Sequence, residues 1–479
     1  MSAATRTITP PTWAGAIAQP AKEFPLTNLS VIAGELPLAL CGSLYRNGPG
    51  RLTRGEQSVG HWFDGDGAIL AVHFADGAAR ATYRYVETAG YQAETAADRF
   101  LFPNYGMTAP GPVWNNWGKS PKNVANTAVL ALPDRLLALW EAGLPHALDP
   151  INLATLGPDL LGRLAATATF SAHPKRDSQT GTIYNFGIDA GARPGLNLYA
   201  CHPDGRIQRQ NRLPLKRLSL LHDCVLAGRY LVFCLPPLQL QILPALLGFR
   251  SFSEALEWQP SLGTQVLVCD RDTLALVATT DVEPWYQWHF ANGYEQDGEI
   301  ILELVGYPDF ASTNNYLRAV PSGVTHTRQH GRLWRLRLDA QTARLKERQV
   351  LSDRDCEFPV IAPAEIGKSW RYTYLSAHRD EAESGRDMFG AIARYDRERE
   401  QLTLADFGPN RYPSEPIFAP DHTQADAGWL LTVVYDGVQD SSELWVFDRE
   451  RLATEPICRL ALPSVIPHSF HGTWRAASR

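Results

Sequence analysis

The chain has 479 residues, 44% hydrophobic and 20% charged, with a formal net charge of -6 at pH 7. This apolar content excludes an extended disordered chain, and the acidic balance excludes the basic footprint of a nucleic-acid binder. Seven cysteines with no CxxC pair exclude a disulfide framework, and no run reaches the roughly 18 apolar residues of a membrane span.

In chain order, the first twenty residues carry one arginine, Arg6, and no apolar core of signal-peptide length. Residues 1–35 are therefore expected to form an arm packing on the outside of the fold. The expected setting is the cytoplasm, with the thiols reduced. The 34 prolines and 37 glycines favour many short strands and tight turns over long helices.

One unit then recurs: a short apolar strand, an acidic turn and a second strand. It stands at Ala71-Val-His-Phe-Ala-Asp-Gly-Ala, Leu139 to Asp149-Pro150, Leu198-Tyr-Ala-Cys-His-Pro-Asp-Gly and Val266-Leu-Val-Cys-Asp-Arg-Asp. It returns at Leu333-Trp-Arg-Leu-Arg-Leu-Asp-Ala, Ile392-Ala-Arg-Tyr-Asp-Arg-Glu and Leu444-Trp-Val-Phe-Asp-Arg-Glu. Aspartate makes such turns by hydrogen-bonding its own backbone. Any all-β protein contains hairpins of this kind, so the repetition carries the inference. Units spaced by roughly 50 to 70 residues predict an all-β, seven-bladed β-propeller, each unit forming the outer hairpin of one blade. Residues 1–479 read as a single domain.

The segment from Leu235 to Phe252 breaks the pattern. It is too interrupted by proline for a long helix and too apolar for a loop in water. Leu238, Ile242, Leu243, Leu246, Leu247 and Phe249 lie in it beside a single cation, Arg250. Left exposed, such a patch marks a partner or a membrane surface; packed on the propeller, it is core.

Spacing alone identifies no metal site. There is no HxH and no HExxH, and a lone histidine among 13 is more often packed or on the surface than a ligand. Asp64-Gly-Asp-Gly lacks the further oxygen ligands of a calcium loop and reads as a tight turn. Arg46-Asn-Gly-Pro-Gly is followed by neither Lys-Ser/Thr nor a helix start, so it is no phosphate loop.

Blocks of sequence carry more information. Leu44-Tyr-Arg-Asn-Gly-Pro-Gly followed by His61-Trp-Phe-Asp-Gly-Asp-Gly resembles the N-terminal signature of the carotenoid cleavage oxygenases. So, in order, do Asn123-Val-Ala-Asn-Thr, Ser171-Ala-His-Pro, Trp288-His-Phe-Ala-Asn, Cys356-Glu-Phe-Pro, Ser414-Glu-Pro-Ile-Phe and His471-Gly-Thr-Trp. These blocks span the chain from about Leu36 to Trp474. Leu137-Ala-Leu-Trp-Glu, with Gly143 and Pro145-His146, is similar to the cyanobacterial, retinal-forming apocarotenoid oxygenases.

The resemblance implies one Fe(II) per chain on the propeller axis, held by His173, His222, His289 and His471, under a cap of loops and short helices. Neutral imidazoles suit Fe(II), and four of them leave two octahedral positions for O2 and solvent. It implies that Glu141, Glu357 and Glu415 accept the Nδ1–H of ligating imidazoles, fixing their tautomers. Thr127 matches a threonine whose methyl lies near an open metal position. Trp140, Phe290 and Tyr307 fall where members line the polyene tunnel. His61, His146, His202, His326, His330 and His422 have no such context and read as structural.

The implied reaction is cleavage of a central double bond of a carotenoid or apocarotenoid by O2 into two carbonyl products, an apocarotenal giving retinal. The partners are O2, the polyene and a membrane surface as its reservoir, with no nucleic acid and no evident protein partner. Stilbene cleavage is the alternative within the superfamily. Stilbene-cleaving relatives commonly carry lysine directly before the glutamate at the Glu141 position, and Trp140 here suits a polyene. A metal-free binding propeller would be favoured by the loss of any of the seven metal-site residues, all of which are present. Retinoid isomerases are animal proteins, whereas these blocks are of the bacterial type.

Overall fold

A computed structural model describes residues 11–191, 193–424, 427–453 and 455–477. The first ten residues of the expected arm lie outside the described residues. The architecture is all-β and propeller-like. The described α-helices are short (Ala89–Ala97, Ile242–Leu246 and Ala311–Ala319), and none is long and apolar enough to cross a membrane.

Five sheets have the plain four-stranded antiparallel form of a blade. Counted this way there are five blades, not the expected seven. The reason is that two further large sheets have gained strands. One is five-stranded: Phe24–Asn28 is added at its outer edge, and Gly472–Ala476 pairs with Gly42–Arg51 to join the two ends of the chain. The other is six-stranded: Val31–Gly34 is added outside Cys458–Ala461. Its inner strand is split into Arg411–Pro413 and Ile417–Pro420, both paired with Gly428–Asp436.

Each of the seven predicted units is an antiparallel hairpin in a different large sheet. Six turns use the aspartate as expected. The Oδ1 atoms of Asp149, Asp204, Asp270, Asp339, Asp396 and Asp448 accept a backbone N–H two residues on, at 2.8–3.1 Å. The seventh differs: Ala75 pairs with Ala78 across a two-residue loop, and Asp76 and Gly77 both take positive φ. Asp-Gly favours that hairpin geometry.

Burial falls from the inside outwards. Tyr230–Leu235 is buried along its whole length, whereas Leu276–Val282 at the edge of the same sheet is largely exposed. Between neighbouring sheets, Val225, Val232, Val266, Ile300, Leu302 and Leu336 interlock in one cluster. Each such buried side chain contributes roughly 1.5–3 kcal/mol. The arm is only partly external, because Trp13 of the 3-10 helix Thr12–Ile17 is fully buried.

The Asp64-Gly-Asp-Gly turn belongs to the framework, as expected. His61 caps it by accepting from Phe63 N–H at 3.1 Å, and Asp64 accepts from Gly106 N–H at 2.9 Å. Burial pushes the Asp64 carboxyl up to about 7. Asp66 pairs with Arg54 at 2.6 Å and Lys122 at 2.8 Å, and Glu94 closes the group on Lys122 at 2.6 Å.

Candidate metal centre

His173 precedes the inner strand Lys175–Arg176 of its sheet, His222 precedes Val225–Ala227, His289 lies in Tyr286–Gln296 and His471 precedes Gly472–Ala476. Four remote positions thus converge: one ring nitrogen from each lies within 4.8 Å of the others. The Nε2 atoms of His173 and His222 are 3.0 Å apart, and those of His222 and His289 are 3.1 Å apart.

The opposite ring nitrogens fix what those Nε2 atoms are. Glu141 sits against Nδ1 of His222, Glu357 lies 2.5 Å from Nδ1 of His289, and Glu415 lies 2.8 Å from Nδ1 of His471. Glu357 and Glu415 each accept an Nδ1–H, which leaves a lone pair on the Nε2 of His289 and His471. Among the described residues His173 has no carboxylate within 4 Å. Burial, reinforced by the neighbouring imidazoles, holds His173 and His289 well below the usual histidine range, so both are neutral donors. Burial pushes Glu357 up to about 7, opposed by the Phe358 N–H and the Tyr307 hydroxyl. Lone pairs converging at 3 Å repel, and a cation between them reverses the sign. The donor set therefore fits a divalent transition metal that accepts imidazole.

The backbone departs from regular strand at this centre. Adjacent strand side chains normally point to opposite faces. Here the neighbours Trp140 and Glu141, Trp288 and His289, Glu357 and Phe358, and Phe470 and His471 line one cavity together. The ladders slip in register around Trp288-His289 and after Glu357, and such bulges re-aim side chains. Phe358 holds a φ of 54°, an uncommon conformation that clusters at functional sites. Ser414-Glu415-Pro416 interrupts the split strand, freeing the Glu415 carboxylate for His471 and for Gly472 N–H at 2.8 Å.

Of the expected wall residues, Trp140 and Tyr307 line the cavity, and Tyr307 donates to Glu357 at 3.1 Å. Thr127 also lines it, and its carbonyl accepts from the His471 N–H at 3.2 Å. Phe290 does not line it. The bulge turns both Trp288 and His289 to the cavity, and Phe290, opposite Leu304, returns to the core between sheets. Most of the aromatic wall, including Phe63, Tyr105 and Phe358, was not expected.

The apolar segment divides. Leu238 is fully buried, because Leu238–Leu240 is a strand paired with Leu256–Trp258. Ile242, Leu243, Leu246, Leu247 and Phe249 stand exposed, Leu243 and Leu246 at 71%. Trp114 and Trp117 extend this surface, and the Trp117 indole N–H donates to the Leu247 carbonyl at 3.0 Å.

Two bracing residues escaped the sequence reading. Arg46 is 1% exposed and donates to the carbonyls of Glu415 at 2.7 Å and Phe470 at 2.9 Å. Burial lowers its guanidinium to about 10. Asp223, beside His222, accepts from Phe290 N–H at 2.9 Å and pairs with Lys175 at 2.8 Å. One carboxylate thereby touches the segments of three of the histidines. The visible signals were an arginine in an apolar run and an acid directly after a candidate ligand.

Comparison with known proteins accords with this arrangement. Residues 17–476 match the family described as retinal pigment epithelial membrane protein. The chain is 33% identical to the apocarotenoid-15,15'-oxygenase of Synechocystis sp., covering 92% of each protein. It is 28% identical to resveratrol cleavage oxygenase 1 of Aspergillus fumigatus, over 92% of this chain and 91% of that one. The crystal structure of the cobalt-substituted Synechocystis enzyme superposes with a TM-score of 0.89 at 33% identity, covering 97% of this chain and 98% of that one. The chain is an enzyme of the carotenoid cleavage oxygenase family.

Proposed function

We propose that this enzyme holds one Fe(II) on His173, His222, His289 and His471 and cleaves a central double bond of a carotenoid-type polyene, an apocarotenal giving retinal. The observation that carries the reading is the set of carboxylate-locked imidazoles whose Nε2 atoms converge beside an aromatic-walled cavity. We read the five- and six-stranded sheets as two further blades, giving a seven-bladed propeller of one domain with the metal on its axis.

Bound, the iron supplies a site at which O2 is activated. The protein's part is positional. Trp140 and Tyr307 would offer their rings to a conjugated chain, and Thr127, whose carbonyl holds the His471 N–H, lines the same cavity. The apolar walls keep water from the reacting carbons. Both oxygen atoms of O2 end in the two carbonyls, and the four electrons that they take come from the two alkene carbons. The conversion thus needs no external reductant and no net proton transfer, in keeping with carboxylates that lie against imidazoles and have no proton to pass to the substrate.

The test is metal analysis of the purified protein, with mass spectrometry of products from apocarotenals, carotenes and stilbenes under labelled O2. Expected are one iron per chain and labelled carbonyl products from an apocarotenal. Faster turnover of a resveratrol-type stilbene than of any apocarotenal would give the function to stilbene cleavage instead.

The exposed surface around Leu243 would rest on a cytoplasmic membrane face from which the polyene is drawn, its apolar residues dipping below the headgroups. With Arg250 as the only cation of the segment, attachment should survive high salt. Liposome flotation of wild type, Leu243→Asp and Leu247→Asp at low and high salt tests this. Folded variants that float as well as wild type would assign the surface to another role.

A further inference from the structure

We infer that Gln329 selects the substrate by its oxygenated end, donating its side-chain N–H to a carbonyl oxygen; this rests on the polyene-cleavage reading above. Gln329 lies on the loop after helix Ala311–Ala319, and its side chain lines the cavity.

Its orientation is set by a short chain of hydrogen bonds. The Trp288 indole N–H, which can only donate, reaches Thr313 Oγ1 at 2.9 Å. Thr313 is fully buried, and its hydroxyl proton goes to Gln329 Oε1 at 3.1 Å. The amide oxygen is thereby occupied, which leaves Nε2 as the free polar end of a side chain that lines the cavity. No protein acceptor takes Nε2 among the described residues. The nearby Tyr316 hydroxyl is engaged with Met388 Sδ at 3.2 Å and the Asp387 carbonyl at 3.4 Å. Leu317 and Phe389 complete an apolar surround.

An amide donor without a partner in such surroundings rewards an acceptor and gives nothing to a hydrocarbon. A locked Nε2 cannot accept, so a carbonyl oxygen fits it better than a hydroxyl, which can accept from it but leaves its own proton without an acceptor there. Tyr105 is the rival: its hydroxyl also lacks a partner, and its ring lines the same cavity.

The experiment compares a conjugated polyene aldehyde, its alcohol and its hydrocarbon of equal length. Wild type should prefer the aldehyde. Gln329→Met, similar in size but unable to donate, should lower the aldehyde-to-hydrocarbon ratio of kcat/KM about five- to tenfold, carried in KM. Thr313→Val should free the amide to turn and so raise the alcohol relative to the aldehyde. Fluorescence titration of the metal-free protein with the three compounds should give the same order of affinity. An unchanged ratio in Gln329→Met of wild-type Tm and metal content would overturn the inference. So would collapse of the ratio in Tyr105→Phe with Gln329→Met unaffected. If wild type cleaves none of the compounds, the cleavage reading fails, and the binding titration still decides the role of Gln329.

Discussion

Arg54, Lys122, Asp66 and Glu94 meet in one buried cluster, and His173, His222, His289 and His471 meet with three glutamates in another. In the first, two cations face two anions at 2.6–3.4 Å, and every charge has its counterpart within the group. In the second, Glu415 has Arg46 at 3.8 Å, while among the described residues Glu141 and Glu357 pair with no lysine or arginine. The imidazoles between them present lone pairs to one another. A closed group of charges is framework, because nothing further improves it. A group that closes only around a divalent cation is a site. Burial alone does not separate the two; the balance of charge and lone pairs does.

The sharpest break in this contrast is His289→Ala. It removes one of four converging donors and leaves Glu357 without its imidazole. The expected outcome is loss of bound metal and of activity in a protein that still folds, read by metal analysis and circular dichroism. Full metal occupancy would remove His289 from the ligand set.

Lys122→Met should do the reverse. It leaves Asp66 and Glu94 facing Arg54 alone, and breaking a buried pair from one side costs roughly 3–5 kcal/mol. Denaturant unfolding should show that loss, while metal per folded molecule stays at the wild-type value. Lower metal content in the folded fraction would mean that the two clusters are coupled.

Smaller effects follow from the carboxylates. Glu141→Gln, Glu357→Gln and Glu415→Gln should each weaken metal affinity or activity roughly 10- to 100-fold. Glu141→Gln should be the mildest, since its side chain is 26% exposed against 7% for Glu357 and 6% for Glu415. Water can take over part of its role. Near wild-type values in all three would make them ordinary acids of the fold.

How much of this was legible depended on how locally each feature is encoded. The aspartate turns were legible because side chain and backbone partner are two residues apart. The four histidines were legible only through the blocks that contain them, since their convergence is a property of the ring of sheets. Phe290 was placed in the wall by resemblance alone, whereas strand alternation turns the residue after His289 to the opposite face, and there it packs in the core between sheets. Leu238 was misplaced because one apolar stretch supplies first a paired strand and then an exposed helix, with similar residues in both. Gln329 and the tryptophans Trp114 and Trp117 sit in loops and a short 3-10 helix, where no periodicity announces a role.

The smallest effect concerns Asp223, which belongs to both kinds of cluster. Its carboxylate is 1% exposed and satisfied like a framework acid, pairing with Lys175 and accepting from Cys224 N–H at 2.7 Å and Phe290 N–H at 2.9 Å. Those partners lie within two residues of His173, His222 and His289, so it fixes the spacing of three of the converging imidazoles from outside the centre. Asp223→Asn keeps one backbone acceptor and loses the charge opposite Lys175. Lys175 is 19% exposed and retains access to water. Replacing a charged by a neutral hydrogen bond costs about 1 kcal/mol, so metal affinity measured by chelator competition should fall about fivefold. Asp223→Ala leaves the Phe290 N–H and Lys175 both unpaired and should fall further, with a lower Tm of the metal-free protein. If Asn and Ala both bind metal as wild type does, the ligand spacing is held by the sheets alone, and Asp223 belongs with the closed cluster.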